Sequence, residues 1–278
     1  MPAPKAKDLQ DAVRQKFMSF QIKVPANWQQ PAGDKGSAYD DAFKPADKNC
    51  QPASPALFIP STFNKVHVDT QKQHVRDYGE FIDETCKAIC SAWGQWHTAA
   101  TFVGVIINAV TATGGQAVGP PLAPLIIAQG LKKSPMLLKY TTAIANAFGT
   151  AWLAYTATIK VPGLPWYPTF AAVPSLVAPP SKNISTPIAG LISVPVTMQM
   201  ITLKGAMIMN LADPTAPYME KLFEAFAFGI NMMFTEWQLK TKLENILGTG
   251  PVPTFAPPYI PAGPVLMGAG IGAPGCFT

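Results

Sequence analysis

The segment Thr150-Ala-Trp152, together with the residues that follow it to Ala171, returns in altered form from Thr235-Glu-Trp237 onward. In both copies a glycine lies eleven residues after the tryptophan, and a Pro-Thr-Phe-Ala tetrapeptide begins five residues after that glycine. The matching positions are Gly163 with Gly248, and Pro168-Thr-Phe-Ala171 with Pro253-Thr-Phe-Ala256. A self-similar unit of this kind indicates a duplicated structural element rather than a catalytic signature. A weaker echo, Ser91-Ala-Trp93 with Gly104 eleven residues later, lacks the tetrapeptide.

Each copy combines an apolar helical stretch with a proline-rich arm. The pattern predicts a helix over 135–158, with Ser134 as N-cap and Pro135 at the first helical position, and a second helix over about 218–246. The arms at 161–187 and 251–278 are dense in proline, which enforces an extended path with few internal hydrogen bonds. We therefore expect them to lie against a surface or between subunits.

The remaining chain adds helices and one further arm. Leu9, Val13, Phe17 and Phe20 share one face of a predicted amphipathic helix. Helical periodicity also extends from about Asp69 to Ala112, so that Ala99–Thr113 continues that helix until Gly114-Gly115 ends it. Shorter helices are predicted over 121–130 and 196–210. Residues 21–65 contain six prolines without a period, which is typical of an extended arm.

Strand signals are few, so the predicted fold is mostly α: a helical body with long Pro-rich extended arms and a candidate duplicated helix-plus-arm unit. The expected organisation runs in four parts. These are an N-terminal amphipathic helix (1–20), an extended Pro-rich arm (21–65), a first helical unit with a Pro-rich strap (66–187), and a second helical unit with a Pro/Gly-rich tail (188–278).

Charge is scarce and unevenly distributed. Charged residues make up 13% of the 278 residues and prolines number 29, against about 25% and about 5% in average soluble domains. Between Glu84 and Asp213 the sequence has no acidic residue, although the whole chain carries a net charge of +5. A nucleic-acid groove clusters Lys and Arg with aromatic residues. No arginine follows Arg76 here, so no specific nucleic-acid partner is expected.

No motif predicts a reaction, a cofactor or a metal. Cys86, Cys90 and His97 share a helical face, but His97 lies about 10 Å along the axis from Cys90, too far for one zinc ion. The thiols therefore suit core packing in a reducing compartment. Phosphate-binding and nucleophile-elbow patterns are missing from the sequence. His74 and Asp77 are the candidates that a hydrolytic effector would use, and they remain a minor alternative.

Two apolar stretches, Ala99–Thr113 and Val196–Leu203, raise a membrane interpretation. A spanning helix needs about 20 mostly apolar residues, and both stretches are shorter. The N-terminus lacks the apolar core of a secretory signal. We therefore expect assembly in the cytoplasm, with membrane contact as the less favoured alternative.

The predicted function is that of a structural subunit of a large ordered assembly, such as a virion or a phage-tail-like particle. Within such a particle, the chain would be a component of the tail, baseplate, neck or capsid. A contractile injection system could contain it in the same role. The partners are copies of itself and other structural proteins, held by aromatic side chains of the repeat and its arms. The candidate partner-binding residues are Trp152, Trp166, Phe170, Trp237, Phe255 and Tyr259. The alternative is a membrane-active protein that forms pores or lyses cells.

Overall fold

The structure is a computed structural model that describes residues 3–21, 65–131, 134–191, 196–213, 218–256 and 260–278. These residues form six α-helices and ten β-strands. The helices are α1 (Ala6–Ser19), α2 (Lys65–Ala99), α3 (Leu122–Gln129), α4 (Pro135–Thr156), α5 (Met200–Leu211) and α6 (Met219–Lys240). The strands are β1 (Thr101–Asn108), β2 (Thr111–Val118), β3 (Val161–Pro165), β4 (Val177–Lys182), β5 (Thr186–Pro187), β6 (Lys242–Leu243), β7 (Ile246–Pro251), β8 (Phe255–Ala256), β9 (Ile260–Pro261) and β10 (Gly268–Gly272). The prediction of a mostly α chain is therefore wrong: the fold is mixed α/β and contains a six-stranded antiparallel sheet.

The helices predicted from local signals are present, but the one predicted over about 218–246 ends at Lys240 as α6, and the residues after it form β6 and the start of β7. α1 buries Leu9, Val13 and Phe17 against the rest of the helical body. α4 begins after Ser134, whose hydroxyl accepts a hydrogen bond from the Leu137 backbone N–H at 3.2 Å. That bond satisfies one of the N–H groups that a helix start leaves without a partner.

The helix predicted over Ala99–Thr113 is wrong, because α2 ends at Ala99 and the following residues form the β1–β2 hairpin. Phe102, Val105 and Ile107 are buried on one face of β1, and the β-branched residues around them suit a pleated strand. The hairpin turn contains Ala109 with φ 53° instead of the glycine or asparagine that usually reveals such a turn. Because both the inward and the outward positions of β1 carry mostly apolar side chains, the sequence does not show the alternation of apolar and polar residues that predicts a strand.

The sheet has the strand order β3-β2-β1-β10-β7-β4, and all its neighbouring strands are antiparallel. β3 and β4 both come from the predicted strap at 161–187, so this one segment provides the two opposite edges of the sheet. β7 and β10 come from the second half of the chain, and β10 lies next to β1 near the centre. The sheet thus joins strands from both predicted helical units.

The strap and the tail are not the free arms that the sequence predicts. Between β3 and β4 the strap carries Trp166, Tyr167 and Phe170, which are at most 1% exposed and belong to the same hydrophobic core as the helices. The tail contributes β10 to the sheet and returns at Leu243, which bridges to Phe277. The third predicted arm, at 21–65, falls almost wholly outside the described residues.

Candidate interaction surface

Two glycines on the inner face of β7 and β10, Gly248 and Gly270, leave room for Tyr167 of the strap to pack directly against these strands. The Tyr167 hydroxyl donates a hydrogen bond to the Ile246 carbonyl at 3.0 Å, and its ring stacks on Phe170 at a centroid distance of 5.2 Å. A Cβ atom at Gly248 would lie 2.7 Å from the Tyr167 ring, and one at Gly270 would lie 2.8 Å from the Tyr167 hydroxyl. Larger inward side chains would displace the strap.

The opposite face of the same sheet carries large apolar side chains. Successive residues of a strand point to opposite faces, so inward glycines alternate with outward residues along β7 and β10. Five large apolar side chains of the sheet are 45–60% exposed: Ile106, Val118, Val177, Leu247 and Ile271. We call the sheet surface that they mark the outer sheet face.

The strand register places three of these side chains at the centre of the outer sheet face. Ile106 pairs with Ala269 across β1 and β10, and Ile271 pairs with Leu247 across β10 and β7. Directly opposed residues on one face have Cβ atoms about 4.5–5.5 Å apart. Leu247 and Ile271 are therefore direct neighbours, whereas Ile106 lies between the small Ala269 and Thr113. The centre of the face is an uncharged and largely apolar surface, of the kind that marks an interaction site.

The outer sheet face is almost without charge. Within the six strands, all of which belong to the described residues, Lys182 is the one charged residue. It lies at the end of the edge strand β4 and pairs with Leu247, which places it on the outer face. The chain's other described charges lie on the helices, the loops and the separate short strand β6, so the six-stranded sheet presents an uncharged centre.

Both edges of the sheet are closed to further strands. Edge strand β3 contains Pro162 and Pro165, and edge strand β4 contains Pro179 and Pro180. Proline has no backbone N–H to donate, and it is a common device against strand addition at a sheet edge. A partner that uses this sheet therefore has to dock on its face.

The structure places four of the predicted partner-binding residues in the chain's own core. Trp152, Trp166, Phe170 and Trp237 are at most 2% exposed, so in this conformation they offer no surface to a partner. The side chain of Phe255, in β8, and the whole of Tyr259 lie outside the described residues. Partner binding through these six residues stays a prediction.

The repeat explains where the tryptophans lie. Trp93, Trp152 and Trp237 come from α2, α4 and α6, and their ring centroids are 4.9–5.7 Å apart. The glycine eleven residues after each one lies in the strand that follows, β1, β3 or β7. The weak echo at Trp93 thus shares the geometry of the two clear copies. None of the three indole N–H groups finds a hydrogen-bond partner within the described part of the chain.

A groove of about 320 Å³ lies between the end of β2, the start of α3 and the second half of α4. Trp96, Trp152 and Leu153 line it together with the Gly119-Pro120-Pro121 turn. None of its lining residues carries a titratable side chain, so the groove offers packing surface but no acid or base.

The residues considered for chemistry do not converge on a site. Burial raises the pKa of the Cys90 thiol to about 12 and that of Cys276 to about 11, which keeps both thiols protonated and poorly nucleophilic. Among the described residues no group of three His, Cys, Asp or Glu side chains could hold a metal ion. The His74 side chain lies outside the described part, while Asp77 is on α2.

Comparison with known proteins gives no relative: no family model, no curated protein sequence and no solved structure matches this chain. In the part of the chain that the structure describes, every helix is too short or too polar to cross a bilayer.

Sequence reasoning missed the outer sheet face, although a signal was present. The segments Ile246-Leu-Gly-Thr-Gly250 and Gly268-Ala-Gly-Ile-Gly272 alternate glycine with larger residues, which is a period of two. In a glycine-rich tail this alternation resembles a flexible linker. It predicts a strand only if the glycines are taken as the buried positions and the larger residues as the exposed ones.

Proposed function

We propose that the protein is a structural subunit of a large ordered assembly, such as a virion or a phage-tail-like particle, and that it has no catalytic role. The observation that carries this proposal is the outer sheet face, an almost uncharged surface with five exposed large apolar side chains on a chain that is poor in charge. Exposed apolar patches of this kind mark interaction sites on otherwise soluble folds. Neighbouring subunits in a particle would cover the patch permanently.

The distribution of charge supports the same role. The acid-free stretch between Glu84 and Asp213 includes β1, β2, β3 and β4. Charged residues are depleted at the centres of protein interfaces and enriched on free surfaces. A subunit whose sheet is buried between neighbours would have this composition, whereas a protein that works alone in solution needs more surface charge.

The alternative, a membrane-active protein, has one specific observation in its favour. Helix α5 contains Lys204 as its one charge, and its side chains Ile201 and Met209 are each 79% exposed. Such a helix could lie in the interface of a bilayer with its apolar side chains inserted.

The proposal is tested on the native particle and on the purified full chain. In lysate of the source, we expect the chain to sediment with particles of megadalton size, and electron microscopy of that fraction should show an ordered assembly. An antibody against the chain should then decorate those particles. If all of the chain stays in the slowly sedimenting fraction, the proposed function is wrong.

A flotation assay separates the alternative from the proposal. The purified chain is mixed with neutral or with anionic lipid vesicles and centrifuged through a density gradient. Flotation that Ile201→Asp abolishes would favour the membrane-active protein, since that change introduces charge on the exposed side of α5. A chain that stays at the bottom of the gradient and is found in particles supports the structural role.

A further inference from the structure

We infer that the outer sheet face docks on the outer sheet face of a second copy of the same chain, so that two six-stranded sheets stack face to face. The inference rests on the proposed function and names the contact within the assembly. Such a contact is isologous, because each copy uses the same patch about a two-fold axis.

The area is sufficient for a specific contact. Six strands at a spacing of about 4.8 Å, with about six residues each, cover roughly 29 Å by 20 Å, or about 570 Å² on each copy. Two copies would bury roughly 1,100 Å², just above the size of about 1,000 Å² that a specific interface needs. The pair should therefore form with moderate affinity and depend on protein concentration.

The lack of charge on the outer sheet face lowers the electrostatic cost of bringing two copies together there. Each chain carries a net charge of +5, so two copies repel wherever their lysines approach. The outer sheet face avoids this cost because its one charge, Lys182, lies on an edge strand. A two-fold axis along the central strands β1 and β10 places the two Lys182 residues at opposite edges. They are then about 24 Å apart laterally, well beyond the Debye length of about 8 Å.

The geometry of the face also suits another sheet. Stacked sheets pack about 10 Å apart with interdigitating side chains and with their strands within about 30° of each other. The outer sheet face offers isolated branched side chains, such as Ile106 and Ile271, separated by the small residue Ala269. A second copy can place its own branched side chains above those small positions. Addition of a strand from another protein is blocked by the edge prolines.

Charge substitution on the full chain tests the contact. Ile271→Asp places a carboxylate on each copy close to the axis, where burial would leave it unpaired. We expect the dissociation constant from sedimentation velocity to rise by roughly 100-fold. Ile201→Asp is the matched control: Ile201 is 79% exposed on α5, against 60% for Ile271, and the same substitution there should leave the constant unchanged. Leu247→Asp repeats the test on β7 if Ile271→Asp fails to fold by circular dichroism.

A crosslinking experiment tests the symmetry of the contact. In a Cys50→Ser background, Ile271→Cys should give covalent dimers with a short bismaleimide, because the residue faces its own copy across the gap between the sheets. Ile201→Cys should give none. The three other cysteines are buried and react slowly.

The outcomes separate the inference from the proposed function. Two results overturn the stacked sheets but leave the structural role intact. In the first, the chain still associates with Asp at Ile271 or Leu247. In the second, Asp at these positions weakens association but Ile271→Cys gives no crosslink. The same holds if the pure chain stays monomeric yet occurs in native particles. A monomer in which the Ile271→Cys thiol is protected from maleimide means that another segment of the same chain covers the face, which also overturns the inference. A chain that neither associates nor occurs in particles overturns both.

Discussion

Gly248→Ala is the change that most directly tests why this sheet carries its glycines inside and its large side chains outside. The new Cβ atom would lie 2.7 Å from Ile107 Cδ1 and 2.7 Å from the Tyr167 ring, whereas ordinary contacts begin at about 3.4 Å. Both side chains therefore have to retreat by about 0.7 Å, the difference between 3.4 and 2.7 Å. Ile107 is fully buried, and the Tyr167 ring is fixed by its hydrogen bond to Ile246 and by Phe170.

The magnitude follows from these contacts. Overpacking of a well-packed core costs about 1–3 kcal/mol, and a retreat of Tyr167 that breaks its buried hydrogen bond adds about 1 kcal/mol. We expect Gly248→Ala to lower the free energy of unfolding by about 3 kcal/mol. For a chain of this size, that change lowers the melting temperature by roughly 6–12 °C.

The assay is urea and heat denaturation followed by circular dichroism, with Gly205→Ala as the matched control. Gly205 lies within α5, and a Cβ atom there would meet nothing within 4 Å. The same substitution should therefore stabilise the protein by about 0.5–1 kcal/mol, because alanine is the better helix former. If Gly248→Ala costs less than about 0.5 kcal/mol, the strap does not pack on β7 as described and the origin of the outer sheet face needs another explanation.

Three other perturbations probe separate parts of the molecule. Tyr167→Phe removes one of the two hydrogen bonds that the Ile246 carbonyl accepts and leaves the bond from the Asn183 backbone N–H at 3.2 Å, so it should lower the free energy of unfolding by about 0.5–1.5 kcal/mol in urea titrations. Burial raises the pKa of the Cys276 thiol from 9.0 to about 11, so the native state holds a proton that the unfolded chain releases. Stability should be full below pH 9 and fall as the pH rises toward 11, and Cys276→Ala should flatten that decline in urea midpoints. Arg14→Lys replaces a two-point contact of 2.7–2.8 Å with Asp83 by a point charge, which should cost about 0.5–1 kcal/mol in thermal melts. Lys7→Met, at an exposed ion pair, should change nothing measurable.

Local signals predicted the helices of this protein well. The Ser134 cap and Pro135 fix the start of α4, and the spacing of Leu9, Val13 and Phe17 predicts α1 and its buried face. These features depend only on residues within one or two turns, so a single sequence contains all that is needed. The bounds of the two helices agree with the predictions to within about two residues.

The sheet could not be predicted by the same means, because its strands pair with segments that lie far away along the chain. β10 pairs with β1 across more than 160 residues. The proline-rich segments β3 and β4 can be strands because they lie at the edges of the sheet, where one side of the strand needs no hydrogen-bond donors. The prolines of 161–187 do predict extended backbone. They give no information on whether that backbone lies on its own chain or on a neighbour, and the structure places it on its own chain.

The repeat also shows why the two arms could not stay equivalent. Pro168-Thr-Phe-Ala171 begins with a 3-10 turn and buries Phe170, whereas the second copy of the tetrapeptide ends in the short strand β8. β3 lies at a sheet edge with one neighbouring strand, whereas β7 lies inside the sheet with two. The two arms therefore need different sequences. The shared helices meet at Trp93, Trp152 and Trp237, and the diverged arms complete one sheet around a single core. Because the strap is then used inside the chain, the outer sheet face becomes the apolar sheet surface that a neighbour can cover, and a second copy covers it without bringing charges together.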